Sequence, residues 1–108
     1  MKSIAAIILA LIAGSAQAEF KDGNRLLADL QSSYVEDRMH AMGYIVGIAD
    51  MGRSVINCMP ENATAGQLRD MVRNYLENTP AERHFSGDLI VNKVLKTVWP
   101  CSKRGSSM

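Results

Sequence analysis

The sequence predicts an all-α protein, a small single-domain helical bundle of about four helices stapled by a disulfide. Three observations carry this. Apolar residues recur three and four positions apart along most of the chain beyond residue 23. Several of these runs open on residues suited to capping a helix. Good strand signals are absent, and a length of 108 residues leaves room for one domain, not two.

The chain begins with a segment that belongs to processing rather than to the fold. Met1-Lys2 supplies a positive start, Ile4 to Ala13 is an uninterrupted apolar run, and Ala16-Gln17-Ala18 is a small-x-small cleavage site. Residues 1–18 therefore read as a secretory signal peptide. A spanning helix needs about 20 apolar residues, so stable membrane insertion is not expected after cleavage. The helical domain is expected over residues 19–101, and residues 102–108 form a polar tail.

The first helix is expected from Asn24, as cap, to about Gln31, with Leu26, Leu27 and Leu30 on one face. The second opens at Ser33-Tyr34-Val35-Glu36, which fits a capping box, and reaches Met51 or Val55. Its apolar residues are Val35, Met39, Met42, Ile45 and Ala49. Gly43 and Gly47 lie four apart inside it, where each costs roughly 1 kcal/mol relative to alanine. Very close packing of another helix is the expected compensation.

Cys58 to Ala63 reads as a loop. The third helix opens on the capping box Thr64-Ala65-Gly66-Gln67. Leu68, Met71, Val72, Tyr75 and Leu76 form its stripe; Arg69, Asp70, Arg73, Asn74 and Glu77 take the other side. Thr79-Pro80-Ala81-Glu82 starts the fourth, with proline in the first turn. Its buried face is Ile90, Val91, Val94, Leu95 and Val98. Gly87 invites a break near Ser86, and Pro100 ends the helix after Trp99.

In an exported chain, two thiols are most simply one disulfide, Cys58–Cys101. The closed loop of about 43 residues is worth about 4 kcal/mol in the chain-entropy account. A reactive thiol is the less favoured reading: Cys101 directly follows Trp99-Pro100, and Cys58 has no adjacent base or cation cluster to lower its pKa.

Several function classes fall away. Twelve Lys+Arg balance eleven Asp+Glu, giving a formal charge of +1, which is no electrostatic footprint for nucleic acid. His40 and His84 have no partner at metal-ligand spacing, so neither metal nor cofactor is expected. There is no Gly-x-Ser-x-Gly elbow and no phosphate-binding glycine loop. His84-Phe85-Ser86-Gly87-Asp88 holds the residue types of a hydrolase triad, but composition does not supply the geometry. An enzyme would have to bring His40 or His84 against Asp50, Asp88 or Glu82, and none is expected. The Asn62-Ala63-Thr64 sequon competes with the capping role of Thr64. Most of Met39, Met42, Met51, Met59 and Met71 read as core filler, a minority as an adaptable surface.

Taken together the residues resemble a known family. Phe20, Asp22-Gly23-Asn24 and Leu26-Leu27 match it. So do Gly43-Tyr44-Ile45-Val46-Gly47-Ile48-Ala49-Asp50, Cys58-Met59-Pro60, Gln67-Leu68, Tyr75-Leu76, Pro80, Arg83 and Trp99-Pro100-Cys101. This pattern resembles the Rap/Tai immunity proteins, small exported helical proteins associated with type VI secretion. The resemblance implies a periplasmic, non-catalytic protein that binds a cognate peptidoglycan amidase effector and occludes its cleft, with a homodimer as the expected form. The family usually carries a second cysteine pair, which here is Leu30 and Ala41; both are lost together, as two bonded partners would be. The partner surface is placed on the polar side of the third helix, at Arg69, Asp70, Arg73 and Asn74. The competing reading is a periplasmic acid-stress or general envelope chaperone. Two histidines give it little leverage between pH 5 and 8.

Overall fold

A computed structural model of the chain describes residues 20–102. The expected signal peptide, and all of the tail beyond Ser102, lie outside the described residues. Four helices follow one another: α1 Gly23–Leu30, α2 Val35–Gly52, α3 Ala65–Asn78 and α4 Gly87–Val98, with a single 3-10 turn at Pro80–Glu82 before the last. Among the described residues there is no strand, only two isolated bridges, so the four-helix class stands.

The helices close on one core. Leu26, Leu27 and Leu30 of α1 meet Ala41, Ile45 and Ala49 of α2, Leu68, Val72 and Leu76 of α3, and Ile90, Val91, Val94 and Leu95 of α4. Leu30 of α1 and Ala41 of α2 are both buried in this core.

Local chemistry sets the boundaries. The cap of α1 lies two residues earlier than expected, at Asp22 and not Asn24: the Asp22 carboxylate accepts from the Arg25 amide at 2.9 Å. The Asn24 amide donates instead to the Arg83 carbonyl at 2.9 Å. The capping box expected at Ser33 does not form, and Tyr34 holds the cap position of α2 without a side-chain bond. Ser32 orders the chain just before the helix, accepting from the Tyr34 amide (3.1 Å) and donating to Asp37 (2.7 Å). The Thr64–Gln67 box of α3 is complete in both directions.

The expected fourth helix splits. Glu82 makes no capping bond, since its carboxylate turns to Tyr75 and Lys93. After the 3-10 turn the chain bends at Ser86, and α4 begins at Gly87. Arg83 secures this bend. Its guanidinium donates to the Leu76 and Glu77 carbonyls (2.6 and 3.2 Å), satisfying the free end of α3. The same segment is stitched to the start of the domain by Gly23 N–H to Phe85 O (3.0 Å) and Gly87 N–H to Lys21 O (2.9 Å). Gly23 is required there: a Cβ would stand 2.7 Å from the Arg83 carbonyl oxygen.

The disulfide forms as expected, with Cα atoms 4.9 Å apart. The Cys58 amide also donates to the Trp99 carbonyl at 2.8 Å. Beside it Asn57 is fully buried, its side chain donating to Ala49 O (3.4 Å) and accepting from the Met59 amide (3.1 Å). This asparagine locks the loop onto the end of α2.

Two expectations about α2 fail. Val35 and Met39 face outward, and the buried stripe is Ala41, Ile45 and Ala49. The helix is apolar on both sides, so its periodicity does not single out the inner one. Gly43 and Gly47 are not covered by a neighbouring helix: a Cβ on either would meet nothing within 4 Å. Gly43→Ala and Gly47→Ala are therefore expected to stabilise the fold, by about 0.5–1 kcal/mol each, through helix propensity alone. Thermal unfolding followed at 222 nm checks this. A loss of stability in either variant would mean that the glycine is packed after all. Val98 is likewise exposed, because α4 has reached its last turn and leaves the core there.

Candidate partner-binding surface

The capping box of α3 and the carbonyls held by Arg83 fix this helix at both ends. Its stripe of Leu68, Val72 and Leu76 turns inward, which leaves Arg69, Asp70, Arg73 and Asn74 on the outside. Arg69 Nε lies 2.9 Å from Asp70 Oδ1, and Arg73 Nε 3.3 Å from Glu77 Oε2. Glu77 also accepts from Gln31 at 3.0 Å. Pairs this exposed add little stability; they hold the side chains at defined positions. Asp70, Arg73, Asn74 and Glu77 line a shallow depression of about 330 Å³.

Asn74 also borders a second hollow, of about 380 Å³, between α3 and α4. Met71, Tyr75, Val94 and Val98 supply its apolar lining. The expected polar face thus adjoins an uncovered apolar groove. Nearby, Tyr75 donates to Glu82, and Lys93 Nζ lies 3.0 Å from the same carboxylate and 5.7 Å from the Tyr75 ring centre. These bonds, the Tyr75 hydroxyl first and Lys93 second, hold the Glu82 carboxyl below the usual glutamate range. A lowered carboxylate contributes stability above its unfolded pKa and loses it as the pH falls through the folded value. Glu82→Gln is expected to lose less stability than the parent between pH 6 and 3. Unfolding midpoints at the two pH values check this, and equal losses would refute it.

A larger groove, of about 620 Å³, runs between α2 and α4 on another face. Gly43 and Gly47 open it; Tyr44, Ile48, Met51 and Ile56 supply apolar walls, and Asp50, Asp88 and Asn92 the polar ones. Burial, then the nearby Asp88 carboxylate, pushes the Tyr44 phenol up, so Tyr44 stays neutral at physiological pH. Sequence reasoning missed this groove. Its signal was the pair of glycines, read as a packing notch and in fact a surface opening.

The remaining candidates do not assemble into a reaction centre. His40 borders a polar cleft of about 350 Å³ with Phe20, Lys21, Asp22 and Arg25; Asp22 there is committed to capping α1. The His84 ring packs on Phe85 at 4.3 Å, and Ser86 donates to Asp88. Histidine, serine and aspartate are therefore not joined in a relay. Among the described residues no three His, Cys, Asp or Glu side chains converge on a metal position, and no helix is long and apolar enough to cross a membrane. Of the five methionines expected mostly in the core with a minority on the surface, Met39 and Met51 are exposed, at 59% and 85%.

The described residues thus form a small disulfide-closed helical bundle with exposed grooves and paired surface charges. The family model of the Rap1a immunity proteins matches residues 22–101. The chain belongs to this family, whose members are exported and typically non-enzymatic, and it is an immunity protein directed at a secreted effector. A search of curated proteins returns no match.

Proposed function

We propose that the protein acts in the periplasm and neutralises a type VI secreted peptidoglycan amidase by covering its cleft, with a homodimer as the working unit. The observation that carries this reading is the polar face of α3 beside the uncovered apolar groove between α3 and α4. Such a surface combines an apolar anchor site with a charged rim, the composition of a stable protein contact. The disulfide and the two fixed ends of α3 pre-order it, which reduces the entropy lost on association. Occlusion needs no reactive group on the inhibitor, only a rigid surface that excludes substrate from the cleft.

The test is capture on the immobilised, oxidised protein. A panel of peptidoglycan amidase effectors and the periplasmic extract of its source are passed over it, and mass spectrometry identifies what stays. One amidase held and inactivated supports the reading, and its stoichiometry reports the oligomeric form. Arg69→Glu with Arg73→Glu is then expected to weaken binding at least tenfold, about 1.4 kcal/mol or more. Retention of many unfolded proteins, only at low pH, would instead make the protein a chaperone. Unchanged affinity in the double variant would move the contact off α3.

A further inference from the structure

We propose that the groove between α2 and α4 is a second docking site, which receives an arginine side chain of the partner protein, stem and guanidinium together. This rests on the reading above only in taking the occupant to be a protein.

Gly43 and Gly47 sit in the middle of the 18-residue α2. Helix-interior glycine is costly, and among the described residues nothing requires it here, since a Cβ on either would touch none of them within 4 Å. Local rules broken without an internal cause point to something outside the chain. Removing two side chains opens the groove and lets a partner's backbone approach closely.

The walls state the chemistry. Tyr44, Ile48, Met51 and Ile56 offer apolar surface, suited to a methylene stem. Three polar groups of the lining are acceptors that no cation meets: the Asp50 and Asp88 carboxylates and Asn92 Oδ1. Asp50 and Asp88 have no ion pair among the described residues; Asp88 accepts from the Ser86 hydroxyl and no cation. Asn92 Oδ1 is buried with no donor. None of the residues lining the groove is basic. Two unpaired carboxylates and an orphaned amide oxygen around an apolar floor are complementary to a cation with several hydrogens. Guanidinium, planar and with five donors, meets separated acceptors where a lysine ammonium acts as a point charge.

The probe is benzoyl-L-arginine amide, titrated to about 20 mM into the ¹⁵N-labelled oxidised protein, with benzoyl-L-norleucine amide as the uncharged control. Millimolar binding corresponds to about 4 kcal/mol and is readily followed by chemical shifts. Saturable shifts are expected at the Gly43 and Gly47 amides and at the Asn92 side-chain amide. The control, and the Asp50→Asn/Asp88→Asn variant, should bind at least tenfold more weakly. Gly47→Leu should abolish binding while the helical circular dichroism is retained. The proposal is overturned by the absence of saturable shifts at these amides, by equal binding of the control, or by undiminished binding in the variants. It is also overturned if the same amides shift with protein concentration alone, which would give the groove to a second copy of this chain. Failure of the amidase capture with probe binding intact would remove the effector reading and leave this one. An effector bound equally well by Gly47→Leu and by Asp50→Asn/Asp88→Asn would do the reverse.

Discussion

Replacing Cys58 and Cys101 together by serine is expected to lower stability by about 4 kcal/mol. The bond closes 43 residues of separation, more than half of the described domain, and in the chain-entropy account a loop of that size restricts the unfolded ensemble by this amount. A domain of this size has only about 5–15 kcal/mol in total, so the loss is a large share of it. Native contacts beside the staple include one backbone bond from Cys58 to Trp99, the buried Asn57, and Met59. Urea denaturation of the variant, and of the parent under reductant, should give the same midpoint. A loss below about 1 kcal/mol would show that these contacts hold the loop without the covalent link.

The second large effect is expected from Asp29→Ala, at about 3 kcal/mol. Lys21 Nζ bonds directly to Asp29 Oδ2, and the two side chains are only 9% and 14% exposed. Arg25 lies 3.6 Å from the other carboxylate oxygen, and Lys21 Nζ stands 5.6 Å from the centre of the Tyr44 ring. Removing the carboxylate leaves an ammonium desolvated and unpaired, and that burial cost, rather than the pair's own attraction, sets the size of the loss. The double variant Lys21→Met/Asp29→Leu removes both charges and should recover most of it. If the two single losses simply add in the double variant, the coupling does not exist and the explanation fails.

The helices were legible in the sequence because three of the four are amphipathic with one plain stripe. The Leu26-Leu27-Leu30 set, the Leu68-Val72-Leu76 set and the Ile90-Val91-Val94-Leu95 set all point inward as their spacing requires. α2 misled because its apolar residues are spread over more than one side, and the buried stripe is Ala41, Ile45 and Ala49 rather than the one through Val35 and Met39. Its capping was misread because Ser32 and Ser33 are adjacent and only geometry separates them. The break in the last helix was visible in Gly87. The role of Arg83 as the cap of α3 was not, since its bonds run back to Leu76 and Glu77 across a bend that no pattern encodes. Of the candidate surface, the outward set Arg69, Asp70, Arg73 and Asn74 could be read from helical spacing. The groove beside it needs α3 and α4 placed side by side. The opening between α2 and α4 shows only as two glycines until the fold reveals that nothing fills them.

The stitch between Lys21–Asn24 and Arg83–Gly87 has a consequence for the order of events in folding. The partners of the first helix's entry lie about sixty positions downstream, and the thiol that closes the staple is later still. A chain emerging from its amino end can lay α1 on α2, its neighbour in sequence, but cannot tie down the entry of α1 until residues 83–87 have followed. The covalent link is available only once Cys101 has followed as well. The two ends of the domain are thus joined last.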